Sequence, residues 1–289
     1  MIMMKKIGLY LGCVASTEQY GYELSIREVM PELGIELVDL DNISCCGAPI
    51  RSINLLMQMY MSARNIAICE ERGLDMYAPC PQCHLSLTET KNRLNSSKEL
   101  REKIVTKLKE LEGLEYKGEL KIYHTVDLLY DIVGIDKIKE KVKKPLKWNI
   151  ACHYGCHTVR YSDVGRPDRA EHPYKMEEII KTLGGNSWDY SEKLNCCGAP
   201  LMTTHKESAL TKTGEKLKAV MDRGFDGLSI VCPYGGRMMD SKQEKAGNTI
   251  GEELSLPVFY LTQLVGLAIG KKPKELGLNL NLSAVNALR

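Results

Sequence analysis

One five-residue element, Cys-Cys-Gly-Ala-Pro, occurs twice in this chain of 289 residues, at residues 45–49 and 196–200. A lone cysteine precedes each copy, at Cys13 and Cys156. A third landmark follows each copy and differs at its last residue: Cys80-Pro81-Gln82-Cys83 and Cys232-Pro233-Tyr234-Gly235. The three landmarks recur in the same order at offsets of 143, 151 and 152 residues. This regular self-similarity indicates a duplicated module.

Short apolar runs rich in β-branched residues precede the cysteines and predict strands, at residues 6–11, 36–40, 74–78, 148–151 and 228–231. Helical patterns lie between these runs, as in residues 54–71 and 206–223. Strands alternating with helices predict an α/β fold with largely parallel sheets. Ligands in such folds gather at the C-terminal ends of strands, where four of the cysteines fall: Cys13, Cys80, Cys156 and Cys232.

The boundary between the modules is predicted from a lysine-rich segment. Residues 137–147 hold six lysines around Pro145, a composition typical of a solvated linker or helix end. We therefore predict an N-terminal module over residues 1–144 and a C-terminal module over residues 145–289, each with a small, mostly parallel sheet flanked by helices. The stretch from Gly277 onward lacks clear periodicity, which leaves open a tail that docks on a partner.

Composition narrows the class of protein. Formal net charge is +2, from 39 basic and 37 acidic residues, which gives no support for nucleic-acid binding. Residues 1–6 run directly into the first predicted strand with no visible signal peptide, and the apolar stretch 261–269 is too short for a membrane span. We therefore expect the chain in the cytoplasm. A reducing compartment and an odd count of 11 cysteines favour metal binding or redox chemistry over disulfides.

The first module offers five candidate metal ligands: Cys13, Cys45, Cys46, Cys80 and Cys83. Five thiolates exceed the needs of a tetrahedral zinc ion and of an ordinary four-iron cubane. Two adjacent cysteines cannot easily both ligate one mononuclear ion, whereas a polynuclear cluster offers each a separate iron atom. Gly47 permits close backbone approach or an unusual φ beside the pair. We interpret Cys69, which has no counterpart in the repeat, as a core residue.

The second module offers four candidate ligands: Cys156, Cys196, Cys197 and Cys232. Gly235 stands where the first module has Cys83. Cys152 is a further candidate that could compensate, or else a small buried apolar residue. His153 and His157 flank Cys156, and each is open to three interpretations: a proton donor, a substitute ligand or a hydrogen-bonded structural residue.

These arrays resemble the CCG-domain family, whose pattern is Cys, a gap of some thirty to forty residues, Cys-Cys-Gly, a similar gap, then Cys-x-x-Cys. Two such modules in one chain resemble the B subunit of heterodisulfide reductase and its relatives. The resemblance implies a non-cubane four-iron cluster on the five cysteines of the first module. It implies a second cluster on Cys156, Cys196, Cys197 and Cys232, where Gly235 leaves open a four-cysteine 4Fe-4S variant, a smaller cluster or a substitute ligand. Two facing clusters would clamp a disulfide and cleave it homolytically.

The same resemblance implies partners, because the sequence shows no flavin or nicotinamide fingerprint of its own. It implies electron delivery through a ferredoxin-like iron–sulfur C subunit and a flavin-containing A subunit, and a small thiol or disulfide substrate such as the coenzyme M–coenzyme B heterodisulfide. One alternative is a subunit of a sulfur oxidiser's heterodisulfide-reductase-like complex that acts on protein-bound sulfur. Lactate-utilisation proteins and the cluster subunits of fumarate reductases are further relatives. Two non-enzymatic alternatives are an electron relay and a zinc-stabilised scaffold.

Overall fold

The structure is a computed structural model that describes residues 4–160 and 162–285. The N-terminal half contains four strands: β1 Lys5–Leu9, β2 Ile35–Asp39, β3 Asp75–Tyr77 and β4 Ile122–Tyr123. Its helices are α1 Val14–Glu18, α2 Tyr20–Glu32, α3 Leu55–Glu71, α4 Pro81–Ser96, α5 Lys98–Glu112, α6 Thr125–Asp127 and α7 Ile135–Lys141. A 3₁₀ turn covers Ala48–Ile50, and a π-helical turn, Leu128–Gly134, joins α6 to α7.

The C-terminal half repeats this plan with three strands: β5 Ile150–His153, β6 Gly227–Ile230 and β7 Val258–Tyr260. Its helices are α8 Cys156–Val159, α9 Lys175–Thr182, α10 Lys206–Asp222, α11 Pro233–Gly235, α12 Gln243–Ile250 and α13 Leu261–Ala268. A second 3₁₀ turn, Ala199–Leu201, matches that at Ala48–Ile50, and a third covers Leu278–Leu280. A π-helical turn, Gly236–Asp240, continues α11.

Both sheets are parallel. The first has the strand order β2-β1-β3-β4, and the second has the order β5-β6-β7. Parallel strands end at one edge of a sheet, so the loops after β1 and β3 meet there, as do those after β5 and β6. Each of these loops leads into one of the repeated cysteines. Pro81 and Pro233 then begin α4 and α11 at the first helical position, where the missing amide hydrogen costs nothing.

The two halves share one hydrophobic core. Its buried side chains come from both sheets and from α2 and α13, which pack against each other. Tyr22 of α2 stacks on Tyr260 with ring centroids 4.0 Å apart, and Ser25 Oγ lies 2.6 Å from Thr262 Oγ1. A second core lies between the first sheet and the helices α3, α4 and α5. The shared core therefore fixes the two halves against each other, so they are not independent domains.

The predicted α/β class, with two modules of parallel sheet flanked by helices, is confirmed. Every strand and helix predicted by range is present, with ends shifted by at most two residues. The short strands β4 and β7 were not predicted. The predicted boundary between residues 144 and 145 lies in the connection from α7 to β5.

The segment from Gly277 packs on its own chain as far as it is described. Asn281 Nδ2 donates to the carbonyl oxygen of Val258, and Ser283 Oγ donates to Asp240. Residues 286–289 lie outside the described part of the chain. In residues 4–160 and 162–285, no helix combines the length and the apolarity that a bilayer crossing requires.

Candidate metal centres at the two cysteine arrays

The first array forms a connected set of thiols. The Cys46 thiol neighbours those of Cys45 and Cys83, and the Cys83 thiol neighbours that of Cys80, closely enough for each to shift the pKa of the next. Cys13 interacts electrostatically with Cys45 from the loop after β1. All five are free cysteines; Cys46, Cys80 and Cys83 are buried and Cys13 is exposed. The structure thus brings together the five residues that the sequence predicts as ligands.

Two glycines let the backbone close around this array. Gly12 has φ +69°, and a Cβ at this position would lie 2.8 Å from Cys83 Sγ. Gly47 has φ +78°, and its Cβ would lie 2.9 Å from the Cα of Gln58. The Gly47 amide donates to Cys45 Sγ at 3.4 Å. A side chain at either glycine would therefore displace a thiol or a helix, in a conformation that L-residues rarely adopt.

The second array repeats this geometry with one thiol fewer. The Cys196 thiol neighbours those of Cys156 and Cys197 closely enough to shift their pKa values, and Cys232 interacts electrostatically with Cys156 and Cys197. The Gly198 amide donates to Cys196 Sγ at 3.3 Å, as Gly47 does to Cys45. The four predicted ligands of the second module thus also converge.

Hydrogen bonds from matching helices hold each Cys-Cys pair. Ser62 Oγ on α3 donates to the carbonyl oxygen of Cys46 at 2.8 Å, and Thr213 Oγ1 on α10 donates to that of Cys197 at 2.8 Å. Asn65 Nδ2 donates to the carbonyl oxygen of Ser44 at 3.1 Å. Its counterpart is the buried Lys216, whose Nζ donates at 2.7, 2.9 and 3.2 Å to three backbone carbonyls: Glu192, Lys193 and Asn195. The repeat therefore includes the pairs Ser62 with Thr213 and Asn65 with Lys216. The sequence analysis did not identify these residues, although both pairs are separated by the same 151 residues as the Cys-Cys-Gly motifs.

Contacts among the thiols shift their pKa values in each array. Hydrogen bonds from Cys45 and Cys83 lower the pKa of Cys46 well below its ordinary value. Hydrogen bonds from Cys156 and Cys197 likewise lower the pKa of Cys196. Burial raises the pKa of Cys232 to about 12. Because the thiolate is the metal-binding form, hydrogen bonds among the thiols prepare each array to bind metal.

The other predicted candidates differ in their position relative to the arrays. Cys152 Sγ lies 3.6 Å from Ser187 Oγ, on the face of β5 opposite to His153. His153 is buried and faces Cys196, and burial lowers its pKa well below the ordinary value, which keeps the ring neutral. His157 lies within electrostatic reach of Cys46 and Cys196, one thiol from each module. Cys69 is buried in the second core, with Sγ 3.5 Å from the carbonyl oxygen of Leu74.

The two arrays lie next to each other. Cys80 of the first array raises the pKa of Cys232 in the second, so these thiols are electrostatic neighbours. Half-buried Tyr234 lies among thiols of both modules: Cys13, Cys80, Cys83 and Cys232. Helices that follow the cysteines pack across the junction between the modules: α1 of the first module packs against α11 of the second, and α4 of the first packs against α8 of the second. The two arrays therefore lie side by side at the junction of the modules.

Cavities open at each array. One, of about 430 Å³, is lined by Cys13 and Cys45 together with Ser16 and Thr17. Another, of about 420 Å³, is lined by Cys196 and Lys216. Small molecules can therefore approach cysteines of both modules.

The donor set fits an iron–sulfur group. Thiolates are soft ligands that suit iron–sulfur clusters, zinc or Cu(I). In the part of the chain that the structure describes, no three Cys, His, Asp or Glu side chains surround a position for a single metal ion. The thiols instead form an extended chain of contacts with a glycine on each side. Iron atoms spread over a polynuclear cluster match such a chain.

Comparison with known proteins also indicates a protein with cysteine-rich modules. The profile of the CCG family, described as a cysteine-rich domain, matches residues 7–88 and 150–240. The B subunit of a Methanosarcina acetivorans enzyme named ferredoxin/F(420)H(2)-dependent CoB-CoM heterodisulfide reductase is 32% identical, over 96% of this chain and 94% of its own length. A protein of Archaeoglobus profundus, named as similar to the heterodisulfide reductase B subunit, is 31% identical, over 94% and 93% of the two chains.

A relative with a different assignment covers the chain equally well. The 8-methylmenaquinol:fumarate reductase membrane anchor subunit of Wolinella succinogenes is 31% identical, over 97% of this chain and 98% of its own. Among solved structures, a hypothetical protein from Helicobacter pylori superposes with a TM-score of 0.77 at 17% identity. The match covers 96% of this chain and 52% of that one, and it supports the fold alone.

Proposed function

Because this chain belongs to the CCG family of cysteine-rich domain proteins, and is similar along its length to the B subunit of heterodisulfide reductases, we propose that it is the catalytic iron–sulfur subunit of such a complex. The proposed reaction is the reduction, or in reverse the formation, of a disulfide between two small thiols. The substrate class includes the CoB-CoM heterodisulfide for which the relatives are named. The cytoplasmic location expected from the sequence is part of the same proposal.

The observation that carries the proposal is the juxtaposition of Cys80 and Cys232, which brings the two arrays next to each other. Reductive cleavage of a disulfide takes up two electrons and two protons and yields two thiols. Clusters bound at the two arrays would supply one electron each, which matches a reaction that delivers one electron to each of two sulfur atoms. A pure electron relay needs no small-molecule access, whereas cavities here reach cysteines of both modules.

The chain's own residues take three roles in this proposal. The first array would hold a non-cubane four-iron cluster, and the second a four-iron or smaller cluster. Gly47 and Gly198 give each Cys-Cys pair close backbone approach, with amide donors aimed at Cys45 and Cys196. Of the two predicted proton donors, His157 is the one in reach of thiols from both modules.

Electron supply is assigned to partner proteins of the same complex. The sequence has no flavin or nicotinamide fingerprint, so we propose a ferredoxin-like iron–sulfur C subunit and a flavin-containing A subunit as donors. The fumarate reductase relative supports a second candidate, in which the same chain passes electrons without binding a disulfide.

The test uses anaerobically purified chain, an artificial one-electron donor and the CoB-CoM heterodisulfide. We expect iron and sulfide in the protein, slow turnover with reduced ferredoxin alone, and faster turnover when the flavin-containing and ferredoxin-like partners are added. Cys232→Ser should abolish dye-driven disulfide reduction, while Cys69→Ser, a change in the second core, should leave it within about twofold. Zinc without sulfide rejects the proposal. Bound clusters with no disulfide reduction by any donor favour the relay.

A further inference from the structure

The two modules differ at two positions that face each other in space. Tyr10 stands three residues before Cys13, and His153 stands three residues before Cys156. Cys83 ends the first Cys-x-x-Cys motif, and Gly235 stands in its place in the second. The first module therefore combines tyrosine with cysteine, and the second combines histidine with glycine.

In the first module the tyrosine has a partner of its own. Tyr10 Oη donates to the carbonyl oxygen of Ser44 at 2.7 Å. Its ring lies beside the buried Cys83 thiol, and both border the position that a Cβ on Gly12 would occupy. In the proposed first cluster, Cys83 is therefore the ligand at this position, and the Tyr10 ring packs behind it.

In the second module the histidine is buried without a completed partner. His153 is 1% exposed, and neither ring nitrogen has a hydrogen bond to any residue that the structure describes. The ring is oriented toward the carbonyl oxygen of Lys193, too loosely to complete that bond. Its Cδ2 lies 3.8 Å from the position that a Cβ on residue 235 would occupy. A buried imidazole without hydrogen-bond partners is unfavourable, so this position is suited to a ligand that binds a ring nitrogen.

We propose that an imidazole nitrogen of His153 is the fifth ligand of the second metal centre, in the place that Cys83 fills in the first. This inference rests on the proposed function, because it requires an iron–sulfur cluster at the second array. Metal-bound histidines characteristically donate their other N–H to a backbone carbonyl or a carboxylate, and the Lys193 carbonyl stands ready for that role.

The neighbouring candidates are placed less well. Cys152 lies on the opposite face of β5, with its thiol beside Ser187 Oγ. His157 is flanked by Arg51 and Glu89 of the first module, between the arrays rather than beside Gly235. A neutral imidazole in place of a thiolate removes one negative charge. The second cluster should therefore have a higher reduction potential than a five-cysteine cluster in the same module.

The test is pulsed EPR on protein labelled with ¹⁵N-histidine, reconstituted anaerobically and reduced, with iron and sulfide counted in parallel. We expect hyperfine coupling of the size given by directly bound imidazole, lost in His153→Ala and kept in Cys152→Ala. The double variant His153→Tyr with Gly235→Cys rebuilds the first module's pair. It should keep full iron content, lose the nitrogen coupling and shift the second cluster to a lower potential. The first cluster's signal reports in every variant that the chain has folded.

Different failures separate the inference from the proposed function. Two bound clusters with no directly bound nitrogen, or a coupling that survives in His153→Ala, overturn the inference and leave the proposed function standing. A protein that takes up no iron and sulfide overturns both.

Discussion

The carbonyl oxygens of Pro79 and Val231 both lie within hydrogen-bond distance of one hydroxyl, Tyr22 Oη, at 3.2 and 3.3 Å. These two residues immediately precede Cys80 and Cys232, the cysteines that begin the third repeated landmark of each module. Tyr22 Oη is fully buried and also lies 2.7 Å from Thr125 Oγ1. One side chain thus links the backbones that carry the two facing thiols.

Removing that hydroxyl should loosen the junction between the modules. In Tyr22→Phe, two buried carbonyls lose a shared donor while the ring can still stack on Tyr260. We expect the free energy of unfolding of the metal-free, reduced protein to fall by about 1–3 kcal/mol. Denaturant titration measures this change. In the reconstituted protein, the magnetic coupling between the two clusters should also weaken.

Tyr20→Phe provides the matched control, because Tyr20 lies in the same helix and is 53% exposed. Its hydroxyl removal should change the free energy of unfolding by less than about 0.5 kcal/mol. Equal effects of the two substitutions would mean that the bridge to Pro79 and Val231 contributes nothing.

A second prediction separates ligand cysteines from core cysteines. Cys45→Ser should remove one of the two clusters, because Cys45 belongs to the connected thiols of the first array. Cys69→Ser, at a fully buried thiol in the second core, should keep both clusters and lower stability only. Iron and sulfide per chain measure the difference. Loss of iron in Cys69→Ser, or its retention in Cys45→Ser, contradicts the assignment of ligands.

The sequence predicted most of the fold because its signals are local. Five short β-branched runs and two long helical patterns gave strands and helices, and the duplicated cysteines gave the repeat. Strand β4 was missed because it holds two residues, too few for a periodicity to show. Strand β7 was missed because its apolar run continues directly into helix α13. The stacking of Tyr22 on Tyr260 joins residues far apart in sequence, which no local pattern reports.

The sequence likewise predicted one part of the candidate site and left another part open. The nine predicted ligand cysteines converge on two arrays, yet the sequence left Cys152, His153 and His157 undecided. Strand alternation distinguishes the first two, because neighbouring residues of β5 point to opposite faces. Their burial and hydrogen-bond partners depend on α9, α10 and their loops, which only the folded chain brings near.

A third prediction concerns the glycines of the repeated Cys-Cys-Gly motif. Gly198 has φ +85°, and a Cβ there would overlap the carbonyl oxygen of Ala209. Gly224 has φ +73°, with nothing within 4 Å of its Cβ position. Gly224→Ala should therefore show the cost of the left-handed backbone alone, about 1–2 kcal/mol. Gly198→Ala adds a clash with helix α10 and should cost about 3 kcal/mol or more.

Unfolding of the metal-free protein in denaturant measures both glycine substitutions. In addition, Gly198→Ala should reduce iron uptake at the second array only, since its amide holds Cys196 Sγ. Equal destabilisation of the two variants would show that the Cys-Cys-Gly turn has room for a side chain.

The last prediction starts from a partly buried carboxyl in the short helix α6. Asp127 Oδ1 accepts hydrogen bonds from the backbone amides of His124 at 2.7 Å and Leu128 at 3.0 Å. Burial raises the pKa of Asp127 to about 7, against an ordinary value of 3.8, and the nearby Asp131 adds to the shift. The folded chain therefore holds this proton over a pH range in which the unfolded chain has released it.

The stability that comes from proton uptake by Asp127 is complete below pH 3.8 and is lost as the pH rises through 7. Asp127→Asn keeps an oxygen acceptor for the two amides and cannot titrate. Its free energy of unfolding should therefore rise relative to that of the unmodified protein between about pH 5 and pH 8, by about 2 kcal/mol. Denaturant titrations of the metal-free protein at the two pH values measure the difference. Asp136→Asn, at an exposed position of α7, is the control and should show no such change. A constant difference for Asp127→Asn would mean that Asp127 is already ionised at the lower pH.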